Sequence, residues 1–236
     1  MNNEKLHSLY EDALELLKQL IATPSFSKEE DKTAGIIYQF LSQRTVHVKR
    51  LANNVWARNV HYDPSKPTIL LNSHHDTVKP NKGYTLDPFS PICKDGKLYG
   101  LGSNDAGGSL VSLIATFLYF SERDDLKYNL VLAASAEEEI SGKNGIELLL
   151  PELGAIDFGI VGEPTQMQMA VAERGLLVLD CTVTGKAGHA ARNEGENAIY
   201  KALKDISWFA SYQFPKVSEL LGSVKMSVTV IDTQNK

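Results

Sequence analysis

The sequence predicts an α/β fold, a mostly parallel mixed sheet with helices on both faces, followed by the start of a smaller α+β domain. Two apolar runs without alternation, "YNLVLAAS" and "DFGIVGEP", are typical of strands buried on both faces of a parallel sheet. Helical patterns separate them, as crossover connections require. Near Val171 the pattern changes to alternation. We therefore predict one domain over residues 1–172 and a second over 173–236.

The N-terminal part predicts two helices and three strands. Leucines recur at helical spacing in "LHSLYEDALELLKQLI", which is typical of an amphipathic surface helix that ends before Pro24. The stretch "SKEE", residues 27–30, has the pattern of a capping box and predicts the start of a second helix. Short strands are predicted over 46–51, 55–60 and 68–72.

The rest of the chain alternates strands and helices. An apolar helix packed on both sides is predicted over 109–120, a buried strand over 128–135, a short helix over 145–153 and a buried strand over 157–164. In the second domain, alternation predicts strands over 175–185 and 224–231, with a helix between them from about 196 to 210.

Composition and charge exclude several classes of partner. The net charge of −5 and the absence of long Lys or Arg runs argue against nucleic acid. No stretch reaches 18 apolar residues, and the N-terminus lacks the basic start and apolar core of a signal peptide, so no membrane partner is expected. Only Cys93 and Cys181 occur, which favours a reducing compartment and a cytoplasmic protein.

Polar side chains collect where the predicted strands end. "HHD" follows one strand, "EEE" a second and Glu163 a third, while Asp105 lies just before the apolar helix. Ligands of open parallel sheets bind at this carboxyl edge. Each feature alone has an ordinary explanation as a cap, a surface residue or a solvated charge run. Together, carboxylates at one edge would repel one another, and bound cations relieve that repulsion.

The types of ligand indicate the metal. Histidine and carboxylates without cysteine suit Zn, Co or Mn, and this many carboxylates favour a binuclear hydrolytic site. Because strand side chains alternate, His74 and Asp76 are predicted to face the metals and His75 to face away.

The alternative of a nucleotide-binding loop at "GSNDAGGS" is weakened because Gly108 stands where a phosphate-binding lysine is needed.

Five motifs, "SHHDTV", "DPFSPICKDGKLYGLGSNDAGG", "SAEEEISGKNG", "VGEPT" and "GKAGHAA", occur in one order. In this the chain resembles, from about residue 10 to its end, the di-zinc amidohydrolase family that includes acetylornithine deacetylase, succinyl-diaminopimelate desuccinylase and carboxypeptidase G. The resemblance implies a zinc-peptidase-like catalytic domain, lacking its C-terminal segment, followed by a partial dimerisation or lid domain.

The resemblance also implies roles for seven residues. His74 and Glu163 would bind one zinc, Glu139 would bind the other, and Asp105 would bridge them. Asp76 would orient the site and Glu138 would act as general base. His189 would reach into the partner subunit's site of a homodimer to polarise the scissile carbonyl.

The activity that the resemblance implies is hydrolysis of a small N-acyl-amino acid, N-acetyl- or N-succinyl-ornithine in arginine biosynthesis. Two Zn²⁺ ions, with Co²⁺ or Mn²⁺ as substitutes, would be the cofactors. Alternatives are a succinyl-diaminopimelate desuccinylase, a metallo-dipeptidase, and an inactive fragment or binding module. Arg174 and Arg192 are candidate carboxylate clamps, although each also fits a surface ion pair.

Two departures from the family pattern stand out. Leu101 replaces an arginine, and Ala106-Gly107 replaces a Met-Lys pair, but neither is a ligand position. The family's last metal ligand is a histidine near the C-terminus of a longer chain, whereas no histidine follows His189. The expectation is therefore that the second metal lacks one protein ligand in these 236 residues.

Overall fold

The protein is described by a computed structural model over residues 3–192 and 194–233. The chain divides into two compact units, with the boundary after Met167. The sequence predicts the corresponding boundary after residue 172.

A five-stranded mixed sheet forms the centre of the first unit. Its strands are β1 (Val48–Leu51), β2 (Asn54–Arg58), β3 (Thr68–His74), β6 (Asn129–Ser135) and β7 (Phe158–Val161), in the order β1-β2-β6-β3-β7. The two strands β4 (Ile92–Lys94) and β5 (Lys97–Tyr99) form a separate hairpin. Strands β6, β3 and β7 are parallel, whereas β1 and β2 are antiparallel to their neighbours.

Helices cover both faces of this sheet. The helices α1 (Asn3–Ile21), α2 (Asp31–Ser42) and α3 (Gly108–Phe120) pack on one face around Ile114 and Phe117. Helix α4 (Ile146–Leu153) packs on the other face against Trp56 and Val131. The predicted α/β class with a mixed, helix-covered sheet is confirmed. Across the described ranges, no helix combines the length and apolarity needed to cross a bilayer.

Two local predictions in this unit are wrong. Strand β7 is predicted to be buried, but Phe158 is 59% and Val161 63% exposed, because β7 is an edge strand that pairs only with β3 within the described residues. The capping box does not form either, since α2 begins at Asp31 and Glu30 makes no side-chain cap. Ser27 Oγ instead donates a hydrogen bond to the Asp76 carboxylate at 2.8 Å. The Ser27 hydroxyl thus has a distant buried carboxylate as its partner and not the local backbone amide that a capping box would provide.

The second unit contains helix α5 (Ala198–Ser211) and a small hairpin of β8 (Val217–Ser218) and β9 (Gly222–Ser223). The helix lies close to its prediction, and the Asn197 side chain caps it by accepting from the Ile199 amide. The strands predicted over 175–185 and 224–231 do not form in the described residues. Alternation favours a strand only where a partner strand supplies hydrogen bonds, and Leu176, for example, is 87% exposed here.

Candidate metal centre

Parallel strands bring most of the predicted ligands to one edge of the sheet. His74 is the last residue of β3, Glu138 and Glu139 lie in the turn that follows β6, and Glu163 comes shortly after β7. Asp105 lies in the segment Ser103–Gly107 that leads into α3, and its own backbone is non-helical, with φ −113° and ψ 101°. Because β3, β6 and β7 run parallel, their carboxyl ends meet at this edge.

The distances centre on one atom, Nε2 of His74. It lies 3.3 Å from Asp105 Oδ1, 3.7 Å from Glu138 Oε2 and 3.8 Å from Glu163 Oε1. Three ligand atoms, one from each of His74, Asp105 and Glu139, also lie within 4.8 Å of one another. The structure thus brings five of the seven predicted site residues together around one imidazole nitrogen.

The other nitrogen of His74 fixes the ring. Its Nδ1–H donates to the backbone carbonyl of Asp76 at 3.0 Å and lies 3.3 Å from the Asp76 carboxylate. A carbonyl only accepts, so the neutral ring carries its hydrogen on Nδ1 and presents a lone pair at Nε2. Burial opposes protonation, but Asp76, Glu163 and Glu138 outweigh it and raise the pKa of His74 to about 9. Without a cation, the acidic site therefore holds a proton on His74.

Asp76 connects His74 to the glutamate turn. Its carboxylate is fully buried and accepts hydrogen bonds from Ser27 Oγ, the Glu138 amide at 3.1 Å and the Glu139 amide at 3.2 Å. Burial works against the charged form, yet the bonds from His74, Ser27 and Glu138 keep the pKa of Asp76 below its usual value. The Asp76 carboxylate therefore orients the imidazole and anchors the turn that carries both glutamates.

The donor set fits a divalent cation. Burial, reinforced by the neighbouring carboxylates, raises the pKa values of Glu139 and Glu163. Over residues 3–192 and 194–233, no Lys or Arg forms an ion pair with Asp105, Glu138, Glu139 or Glu163. A cation would relieve this repulsion, and an imidazole nitrogen with carboxylate oxygens is a ligand set suited to Zn, Co or Mn.

His75 lies away from the carboxylates. Its ring is buried between Thr33 Oγ1, 2.9 Å from Nδ1, and the Asn53 carbonyl, 2.9 Å from Nε2. The carbonyl requires a hydrogen on Nε2, so the neutral ring accepts at Nδ1 from the Thr33 hydroxyl. Burial lowers the pKa of His75, which favours this neutral form. Both ring nitrogens are occupied, as expected for a residue that faces away from the metals.

Three residues at the site are missing from the sequence prediction, namely Ser27, Glu30 and Glu137. "EEE" resembles a solvated run, but Glu137 is only 6% exposed and its carboxylate accepts from the Asn144 amide group at 2.9 Å. Ser27 and Glu30 are predicted to cap α2, and their distant partners leave no local pattern. The left-handed backbone of Glu137, with φ 54°, is likewise not evident from its residue type.

His189 belongs to the second unit, where its side chain is exposed and its Nδ1 accepts from the Ala191 amide at 3.2 Å. Its role in a partner subunit's site stays a prediction. Arg174 donates to the Leu221 carbonyl, so its guanidinium serves a backbone contact in this structure.

Comparison with known proteins places these motifs in a family. Residues 70–227 match the pattern of peptidase family M20/M25/M40. The chain is 33% identical over 199 residues to acetylornithine deacetylase of Proteus mirabilis, covering 79% of this chain and 51% of that protein. It is 30% identical over 240 residues to succinyl-diaminopimelate desuccinylase of Wigglesworthia glossinidia brevipalpis, covering 94% of this chain and 63% of that protein. The chain thus spans about half to two thirds of the length of these relatives.

The fold matches solved structures as well. Aminopeptidase PepT of Bacillus cereus superposes with a TM-score of 0.57 at 21% identity, covering 84% of this chain and 56% of the other. At that identity the similarity establishes the fold.

Proposed function

This chain belongs to peptidase family M20/M25/M40, and we propose that it carries the metal ligands and the general base of a hydrolase that cleaves N-acyl-amino acids. The observation that supports this proposal is the convergence of Asp105, Glu138 and Glu163 on Nε2 of His74, at 3.3–3.8 Å. Within residues 3–192 and 194–233 no Lys or Arg pairs with these carboxylates, and this supports a site for cations.

Two divalent cations, Zn²⁺ with Co²⁺ or Mn²⁺ as substitutes, fit the donors. His74 and Glu163 would hold one, Glu139 the other, and Asp105 would contribute to both. Ligand atoms of His74, Asp105 and Glu139 lie within 4.8 Å of one another, close enough for a cation to bind among them. When bound, such cations make water more acidic and polarise an amide carbonyl. Asp76 supports the site by fixing the tautomer of His74 and the glutamate turn.

The remaining steps belong to side chains. The Glu138 carboxylate, about half exposed, is placed to accept a proton from the attacking water and to deliver it to the leaving nitrogen. The water oxygen first bonds to the carbonyl carbon, the carbon–nitrogen bond then breaks as the nitrogen takes up the proton, and a carboxylate and a free amine result. His189 of a second copy would donate a hydrogen bond to the oxygen that becomes negatively charged. This last role requires a homodimer.

The proposed substrate is an N-acetyl- or N-succinyl-ornithine. Support comes from the name of the Proteus mirabilis relative, acetylornithine deacetylase, which is 33% identical. The second candidate is succinyl-diaminopimelate, because desuccinylases align over 94–95% of this chain, against 79% for the deacetylase. Both candidates are acylated diamino acids, so the chemistry of the cleaved bond is the same.

Metal content and amine release test the proposal together. We expect the purified chain to retain zinc after dialysis, by elemental analysis, and Asp105→Ala to lose it, while the exposed control Asp124→Ala keeps it. The zinc-loaded protein should release amine from acetylornithine, succinylornithine or succinyl-diaminopimelate. Unchanged zinc content in Asp105→Ala would contradict the metal site. Release from none of these substrates, nor from a dipeptide, would contradict the hydrolase.

A further inference from the structure

Glu30 is a buried acid that the proposed chemistry does not use. It is 0% exposed and lies at the start of α2, yet its carboxylate points to the glutamate turn and not to a cap. We propose that Glu30 is a positioning residue that holds the backbone of Glu137, and with it the carboxylates of Glu138 and Glu139, in place. Its importance for metal binding rests on the function proposed above, whereas its hold on the backbone does not.

Among the described residues, three hydrogen-bond donors contact the Glu30 carboxylate. Oε1 accepts from the Glu137 amide at 3.2 Å and the Lys28 amide at 2.7 Å, and Oε2 accepts from Asn53 Nδ2 at 2.8 Å. Hydrogen bonds to a charged acceptor are about twice as strong as neutral ones. Glu30, Asn53 and the Glu137 amide are called the Glu30 clasp below.

The clasp continues the anchoring provided by Asp76. Glu30 binds the amide of Glu137, and Asp76 binds the next two amides, those of Glu138 and Glu139. Glu137 has a left-handed backbone, with φ 54° and ψ 24°. A left-handed residue beside right-handed ones points successive N–H groups to one side, which makes a concave site for anions. Here that site is filled by two buried carboxylates of the chain itself.

Asn53 extends the clasp to the histidine segment. Its side chain donates to Glu30, and its carbonyl accepts from the ring of His75, which stands between His74 and Asp76. The segment 74–76 and the turn 137–139 are therefore tied to the same residue of the β1–β2 turn. Loss of the Glu30 contact would let the two groups of ligands move relative to each other.

A pair of substitutions can test the hydrogen-bond pattern. In Glu30→Gln the new NH₂ group faces Asn53 Nδ2, and Asn53 cannot simply rotate its amide because its Oδ1 accepts from Arg50 at 3.2 Å. In Asn53→Asp two carboxylates face each other.

The double variant restores a complementary arrangement. The NH₂ group introduced at position 30 donates to one oxygen of the carboxylate introduced at position 53, and the other oxygen of that carboxylate faces Arg50. The side-chain carbonyl oxygen at position 30 remains free to accept from the Glu137 amide. Glu29→Gln, an exposed neighbour with the same loss of charge, is the control.

Two measurements follow the variants. Amide hydrogen exchange of residues 137–139 in the metal-free chain reports the clasp, and zinc affinity by chelator competition reports its effect on the ligands. We expect Glu30→Gln to speed exchange and weaken zinc binding by about 10–100-fold, the usual effect of losing a residue that supports a metal ligand. The double variant should return to within about threefold of wild type, because contacting residues couple.

Each outcome either supports or overturns the positioning role proposed for Glu30. Exchange and affinity in Glu30→Gln that match Glu29→Gln would overturn the proposal, and so would a double variant no better than Glu30→Gln. If Glu30→Gln does not fold, a folded double variant with protected amides supports the clasp, and an unfolded one refutes it. If the wild type binds no zinc, the proposed function fails while hydrogen exchange still decides whether the clasp exists.

Discussion

Replacing Asp76 with asparagine tests how strongly one buried carboxylate holds the site. The substitution keeps the shape of the side chain and removes its charge. Oδ1 of Asp76 accepts from the Glu138 amide and Oδ2 from the Glu139 amide. Whichever oxygen becomes NH₂, it will face a backbone N–H that cannot turn around. Ser27, by contrast, can rotate its hydroxyl and adapt.

The expected cost follows from these contacts. One hydrogen bond to a charged group is lost, worth about 1.5–3 kcal/mol, and one buried donor is left unpaired, at about 1–3 kcal/mol. Removing the negative charge of Asp76 relieves its repulsion with Glu139 but also removes its attraction to the protonated ring of His74, so these two effects offset each other. The metal-free first unit should therefore lose about 2.5–6 kcal/mol of unfolding free energy.

Urea unfolding of the metal-free protein can measure this loss. The chain has two tryptophans, so a Trp208→Phe background leaves Trp56, which is buried in the first unit, as the fluorescent reporter. The control is Asp125→Asn, since Asp125 is 61% exposed and pairs with Arg123 on the surface. An exposed pair contributes about 0–1 kcal/mol. If Asp76→Asn costs no more than this control, the anchoring role assigned to Asp76 is wrong.

Three further predictions concern the site. The pKa of His74 is raised from 6.5 to about 9, so below pH 9 zinc must displace a proton from His74. Zinc affinity should therefore rise with pH up to about 9. The free energy of unfolding of the metal-free protein should fall as the pH rises from 6.5 to about 9. Calorimetry in buffers of different ionisation enthalpy measures this proton, and a pH-independent affinity would contradict it. Glu138→Gln should keep zinc and lower kcat by about 10²–10⁴, whereas the exposed Glu147→Gln should not. Mixed His189→Ala and Glu138→Gln subunits, each inactive alone, should regain hydrolysis, and no regain would speak against His189 acting across a dimer.

The sequence predicts features that depend on local pattern. The apolar runs at 109–120 and 128–135 became α3 and β6, and the polar residues that follow the strands meet where parallel topology places them. Features that depend on distant partners were missed. Ser27 and Glu30 have a plausible local use in a capping box, but Ser27 binds Asp76, 49 positions away, and Glu30 binds the Glu137 amide, 107 positions away. The strand predicted at 175–185 fails for the same reason, because a strand requires a neighbour that its own residues do not specify.

The alignment of β3 with β6 has a consequence for folding accuracy. His74 is paired with Ser135, and the His75 amide donates to the Ser135 carbonyl. A slip of one residue would move the glutamate turn by about 3.3 Å along the sheet and reverse the faces of β6. That shift is close to the whole distance of 3.7 Å between His74 and Glu138. Tight cation binding would therefore distinguish the native strand register from a shifted one. A chain in which β3 and β6 pair with a shift of one residue could fold compactly and still bind no metal.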